Sequence, residues 1–530
     1  MRCMDMKSEL MVVDGETAQI LDYLECRKFF DSSRGLGRAA SWEKSGSNIL
    51  VKYPGYLTKK YSSSLPSVIR LLRDVPYCYT EKPSAESGDR VQVFFSSSKP
   101  CKLSLKRNYG GREEVDIVDG LHGVGSVCDS DPVLEGVKDW PSTEFVLPDL
   151  DSGLWICQIS DENGKTAEAP LIVKSKNNEE LVVVLSFLTW NFYNHWGGRS
   201  RYKNFLDTGQ PQQRASVGRG RQIISFIIRK FLSEPRREKI KKMLGKKAAE
   251  WAYWPISWKR PWVKDFDLNA APESKILNHL AALEIKVLEW LEREGVNYRC
   301  IADVDLENGL ADVSSAKGVA LLGHSEYWSE KMFKTLERIN GLGAWVLNIS
   351  GNSIYREVCV GQYAASLNNM TFCLSGQNEA NLLGVRFNEA SYGTAAPYQV
   401  KNDRHWIFSG LELENGDWFG TECLIGAPPQ TANLQLYSPA RPSTLDGRLL
   451  GSGASGFEVD TLVDKKNFSL VAKGVQKKGA SMVIREASKG RGGVFSASSI
   501  NFGGSLLVDP ACSKILKNVI DKSLGGELHG

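Results

Sequence analysis

A chain of 530 residues with 42% hydrophobic and 24% charged residues has the composition of a globular protein able to bury large cores, and its length suggests about three domains. A formal net charge of +4 is small for this size and argues against a nucleic-acid or membrane-surface partner. Eleven cysteines without a Cys-x-x-Cys pair disfavour a zinc ribbon or a thioredoxin-like motif, and no stretch approaches the ~18 uninterrupted apolar residues of a membrane span.

Residues 1–65 show no clear period, and Met1 to Ile20 mixes charges among its apolar residues rather than forming the apolar core of a signal peptide. A cytoplasmic protein with free thiols is therefore expected. From 66 to 175 short runs alternate between turn clusters: Val91 to Phe95, Lys102 to Leu105, Glu144 to Leu147, Leu154 to Ile159 and Pro170 to Val173. The tracts Ser96 to Pro100 and Asp161 to Gly164 read as turns between them. This pattern predicts an antiparallel β-sandwich of immunoglobulin-like type.

After a polar linker at Lys174 to Glu180 the texture becomes α/β. Leu181 to Leu185 predicts a buried strand. The basic tract Arg229 to Lys247 reads as a solvated face. Leu283, Val287, Leu288 and Leu291 line one face of a helix that Gly295 stops, and strands follow at Tyr298 to Ile301, Gly318 to Leu322 and Ala344 to Ile349. Strands and helices in this alternation predict a large, mostly parallel, flavodoxin-like α/β domain over 176–530. The segment 380–475 reads as a β-rich insertion. A strand at Gly493 to Ser496 and a last helix bearing Ile515, Leu516, Val519 and Ile520 complete it.

Between the strand ending at Leu322 and a helix bearing Met332, Phe333, Leu336 and Ile339 lies Gly323-His324-Ser325-Glu326-Tyr327-Trp328. This places an imidazole and a carboxylate in a strand-to-helix turn, at the carboxyl end of a sheet where open α/β folds bind ligands. Imidazole titrates nearest neutral pH and suits proton transfer. Each residue has an ordinary alternative as well. Glu326 could stabilise a helix N-terminus, His324 could cap the turn, and Tyr193 or His195 could be core within an aromatic cluster.

Several strings together resemble the N,N-dimethylformamidase large (beta) subunit-like family. They are Thr189 to Gly198, with the pattern Thr-Trp-x-x-Tyr-Asn-x-x-Gly-Gly, then Trp290 to Gly295, Gly323 to Trp328, Ser350 to Tyr355, Gly456 to Asp460 and Val494 to Asn501. The resemblance implies a class I glutamine amidotransferase-like fold and a mononuclear iron held by two tyrosines and a glutamate. It places Tyr193 and Glu326 as ligands, hard oxygen donors suited to ferric iron. Glu458 matches a family glutamate that would activate water. By their own chemistry and position His324 could shuttle a proton or orient a ligand, and Asn352, just beyond the strand ending at Ile349, could hydrogen-bond substrate or a metal-bound oxygen. Phe231 stands where the family often carries the second tyrosine. Either Tyr202 or Tyr253 completes the sphere, or iron is bound differently, or the metal is lost.

The implied reaction is hydrolysis of a small linear amide, with a small partner subunit or a homo-oligomer as candidate assemblies. Two other readings use the same fold: a non-catalytic carbohydrate- or protein-binding protein, and a metal-dependent enzyme acting on a sugar or polar metabolite.

Overall fold

The computed structural model describes residues 76–201, 254–262, 281–424 and 453–526, with interruptions at 112, 126–131, 138, 176, 178, 195, 197–199, 370, 373–377 and 389–394, and the backbone of short strands within 41–62 and 443–450. His195, Gly198, Tyr202, Phe231, Tyr253 and the tract 229–247 lie outside the described residues.

Seven strands between Tyr77 and Lys174 form one hydrogen-bonded system in which all pairs but one are antiparallel. Its organising element is the 18-residue strand Arg90–Arg107. The first half pairs with Tyr77–Thr80 and Ser142–Val146, and the second half pairs with Glu113–Gly123 and Gly153–Asp161. Val91, Val93 and Phe95 are buried on one stretch and Leu103 and Leu105 on the other, the alternation that places a strand's apolar side inward. The layers meet where Cys78 Sγ lies 3.7 Å from the carbonyl oxygen of Cys157.

Sequence reading placed a turn at Ser96 to Pro100, yet the chain continues as strand. The hydroxyl of Ser97 donates to the Lys99 carbonyl at 2.8 Å, and the register against Glu113–Gly123 slips between Ser97 and Cys101. The irregularity absorbs Pro100, which lacks an N–H for the ladder, and bends the strand from one layer to the other.

The second system is a nine-stranded sheet. Arg299–Ala302, Leu181–Leu185, Gly318–Gly323, Trp345–Ser350 and Val494–Ser496 run parallel in that spatial order. All residues of Leu181–Leu185 and Gly318–Gly323 are buried, as continuous apolar strands covered on both faces must be. The helix Ala281–Arg293 ends before Gly295 at φ +62°, and Glu330–Gly341 is capped by the hydroxyl of Ser329, which accepts from Met332 N at 3.0 Å.

The sheet is mixed rather than mostly parallel. Ser481–Arg485, Ser469–Gly474, Tyr398–Val400 and Trp418–Phe419 extend it antiparallel. Three of these four strands come from the segment expected as an insertion.

The sandwich is joined to the edge strand Arg299–Ala302 by polar contacts. Cys300 N donates to Ser152 Oγ at 2.8 Å, Arg299 reaches Asp312 at 2.8 Å and Glu86 at 3.3 Å, and Ser84 Oγ donates to both carboxylate oxygens of Asp305 at 2.8 Å. Among the described residues no helix is long and apolar enough to cross a membrane.

Candidate functional site

Three parallel strands end at one place. After Gly323, whose φ is +62°, the chain presents His324, Ser325 and Glu326. After Ser350 it presents Gly351, Asn352 and Ser353, and beyond Ser496 the loop Ala497 to Ile500 meets the loop carrying Phe457, Glu458 and Asp460. A fourth, Leu181–Leu185, leads into the short helix Phe187–Tyr193, with Tyr193 its last residue. Tyr327–Trp328 does not enter the helix directly but forms a two-residue strand parallel to Arg356–Val360.

The side chains converge. Tyr193 Oη lies 3.2 Å from His324 Nε2 and donates to Glu326 Oε2 at 3.4 Å. His324 Nε2 lies 3.2 Å from Glu326 Oε2 and 3.7 Å from Glu458 Oε2, while Nδ1 donates to the Gly351 carbonyl at 3.1 Å. Asn352 Nδ2 donates to Glu458 Oε2 at 2.7 Å. Tyr193 is half-buried and the other four are buried. Thus Tyr193, His324, Glu326, Asn352 and Glu458, drawn from the whole length of the larger domain, form one cluster.

Burial disfavours the imidazolium of His324, but Glu458 and Glu326 outweigh it and lift its pKa to about 9. Burial raises the Glu458 carboxyl, an effect opposed by the His324 charge and reinforced by Glu326. His324 Nε2 and the Glu458 carboxyl thus face each other at 3.7 Å in a buried site, an arrangement suited to handing a proton to a reacting group.

Residues not singled out from sequence support this cluster. Arg356 Nε donates to Glu326 Oε1 at 3.2 Å, and Glu326 N donates to Thr189 Oγ1 at 3.1 Å. Asp460 accepts from Asn352 N at 2.9 Å and from Ser353 N at 3.5 Å. Burial lifts its carboxyl to about 7 despite those bonds. Asn352, Ile354, Phe457 and Ser498 all have left-handed φ between +50° and +67°, strain that persists only where surrounding contacts over-determine the backbone. Asp460 belongs to the string containing Glu458, and Arg356 follows the one containing Asn352, so both neighbours were within reach of a sequence search.

Beneath the site, Glu284 accepts from Ser186 N and Trp190 Nε1, both at 3.2 Å, and burial lifts its carboxyl to about 8 against those bonds. A carboxyl whose folded pKa exceeds its unfolded value binds an extra proton on folding, so its contribution to stability falls as pH rises from about 4.5 to about 8. Glu284→Gln is expected to flatten that decline by up to about 1.4 kcal/mol per pH unit. Urea denaturation at the two ends of this range measures it, and an unchanged slope would show that Glu284 does not titrate there.

Among the described residues no group of three His, Cys, Asp or Glu side chains is arranged to hold a metal ion. The oxygen donors that do converge are Tyr193 Oη and Glu326 Oε2, 3.4 Å apart. Two oxygens each ~2.1 Å from one ion can stand at that separation, and their hardness suits a hard cation.

The family described as N,N-dimethylformamidase beta subunit-like, C-terminal, matches residues 126–514. No curated protein matches the chain. Among solved structures, the mmIFT52 N-terminal domain is similar over 46% of this chain and 92% of its own, at 13% identity and a TM-score of 0.29. A Paenibacillus sp. cycloisomaltooligosaccharide glucanotransferase complexed with cycloisomaltoheptaose matches over 21% of this chain and 16% of its own, at 15% identity and a TM-score of 0.12.

Proposed function

Because the chain belongs to the N,N-dimethylformamidase beta subunit-like family, we propose that it is a hydrolase of small amides and that the cluster around His324 is its active site. The observation that carries this reading is the convergence of Tyr193, His324, Glu326, Asn352 and Glu458 in one buried cluster within the matched region.

In this reading Glu458, held by the Asn352 amide, takes a proton from water as the water oxygen adds to the substrate carbonyl carbon. The carbon–nitrogen bond then breaks. The departing nitrogen takes a proton from His324 Nε2, which recovers one from Glu458, so that amide and water become carboxylic acid and amine. Arg356 holds the second oxygen of Glu326 and so fixes which oxygen faces the site. Tyr193 and Glu326 would hold a hard cation, iron in the first instance, which when bound polarises a carbonyl oxygen. The beta subunit-like character of the family supports a partner subunit.

The test is release of ammonia from formamide and of amine from short N-substituted amides, together with metal analysis of the purified protein. Amine release and bound iron are expected. Changes outside the ligand set already weaken metal binding by about 10–100-fold, so Glu326→Ala should lose the metal to at least that extent. Full iron occupancy in Glu326→Ala would remove Glu326 as a ligand, and no turnover of any amide would remove the hydrolase assignment.

A further inference from the structure

Arg260 is fully buried and lies outside the cluster around His324. A guanidinium is tolerated in such a place where its donors are matched, and these close around the end of the helix Phe187–Tyr193. Nη2 donates to the Asn191 carbonyl at 3.0 Å and to the Asn194 carbonyl at 2.9 Å, Nη1 donates to the Trp196 carbonyl at 2.6 Å, and Nε donates to the Ser257 carbonyl at 2.7 Å. The last carbonyls of a helix have no partner within it and carry its partial negative charge, so a fixed cation satisfies and stabilises them. Tyr193 is the last residue of this helix, between two of the carbonyls that Arg260 holds.

The grip is reinforced on both sides. The side-chain amides of Asn191 and Asn194 donate to the carbonyls of Ile256 at 3.1 Å and Pro261 at 3.0 Å. On its other side the same segment is held by the sandwich, where Val137 N donates to the Lys259 carbonyl at 2.6 Å and Glu81 pairs with Lys259 Nζ at 3.1 Å. At the first turn of the helix the Asp303 carboxyl accepts from Leu188 N, its two oxygens at 3.1 and 3.0 Å.

The segment also shares a frame with Glu326. Ile256–Ser257 pairs with Ala364–Asn369, that strand pairs with Arg356–Val360, and Arg356–Val360 pairs with Tyr327–Trp328, the two residues after Glu326. One four-stranded sheet therefore leads from the clamp on the Tyr193 helix to the chain beside Glu326.

We propose that Arg260 is a positioning residue, which clamps the helix end and so fixes the Tyr193 phenol against His324 and Glu326 without itself meeting substrate. For its effect on turnover this rests on the hydrolase reading above. The phenol oxygen stands at the tip of a long side chain, so a small tilt of the helix end displaces it by more than the backbone moves. A misplacement of ~1 Å at a reacting centre can cost about 10²-fold in rate.

The experiment uses Arg260→Lys, which keeps the charge but replaces the planar fork by a single ammonium that cannot span the carbonyls of Asn191, Asn194 and Trp196. Turnover is followed as ammonia from formamide and dimethylamine from N,N-dimethylformamide, per folded protein by near-ultraviolet circular dichroism. A fall in kcat of about 10²-fold is expected with KM nearly unchanged. A crystal structure of the variant should place Tyr193 Oη, now 3.2 Å from His324 Nε2, beyond hydrogen-bond reach. Loss of activity that merely follows the folded fraction, a raised KM at unchanged kcat, or a Tyr193 that has not moved would each overturn the proposal. Should Arg260→Lys not fold, the same readouts decide in Asn194→Ala, which loosens the segment at Pro261 and leaves Arg260 in place. No turnover of either amide by the wild type would overturn the hydrolase reading alone, because the position of Tyr193 is read independently of turnover.

Discussion

Glu458→Gln is expected to lower kcat for amide hydrolysis by about 10²–10⁴-fold, the usual worth of a positioned general base, with the melting temperature held within a few degrees. Glutamine matches the shape of the residue, and its carbonyl oxygen can still accept from Asn352 Nδ2, now 2.7 Å from Glu458. The fold loses little, because a carboxylate in this buried position is already disfavoured, its pKa raised chiefly by desolvation. The reaction loses the group that accepts the proton from water. Steady-state kinetics beside a thermal melt separate the two effects. A Glu458→Gln protein that kept more than about a tenth of wild-type kcat would have its base elsewhere.

Gly351→Ala is expected to have the largest effect on stability, about 3 kcal/mol or more, at the upper end of overpacking costs. A Cβ there would sit 2.3 Å from the Glu458 carbonyl oxygen, 2.6 Å from Ile500 N and 3.0 Å from the Ser499 carbonyl carbon. All three are backbone atoms, so no side-chain rotation relieves the contact. The two loops must separate, and this moves Glu458 away from Asn352 and His324. Gly351 also supplies the carbonyl that receives His324 Nδ1, so the same displacement releases the imidazole. Activity should therefore fall further than the population of folded protein. Thermal melts and kcat of Gly351→Ala test this, and a protein with unchanged melting and turnover would show that the loops part without cost.

The parallel half of the large sheet was legible because Leu181 to Leu185 and Gly318 to Leu322 are continuous apolar runs and Ala344 to Ile349 is broken only by Asn348, the pattern expected of strands buried on both faces. Its antiparallel extension was not, since Tyr398–Val400 and Trp418–Phe419 are too short to show a period and owe their pairing to distant partners. The strand Arg90–Arg107 defeated sequence reading for another reason: serines and a proline read as a turn, while the fold uses them to bend one strand across two layers. Tyr193, His324, Glu326, Asn352 and Glu458 could be named because each sits in a recognisable local string. That His324 would stand between two carboxylates was invisible, because it depends on which strand ends are neighbours. Arg356 reaches Glu326 only through the parallel pairing of Tyr327–Trp328 with Arg356–Val360. Glu284 and Asp460 gain their importance from burial, which residue type alone does not reveal.

The attachment of the sandwich to Arg299–Ala302 bears on solubility as well as architecture. A parallel strand at the rim of a sheet offers unpaired amides to any other extended chain, and proteins avoid such self-association by covering, shortening or charging the rim. Here the Ser152 hydroxyl takes the Cys300 amide, and Arg299 is held by acidic groups at the same border. At the opposite rim the last strand, Trp418–Phe419, is only two residues long. A fragment beginning after Lys174 would keep every residue of the cluster around His324 yet bare the first rim. It should aggregate where the whole chain does not, which makes the sandwich a built-in guard against sheet-to-sheet polymerisation.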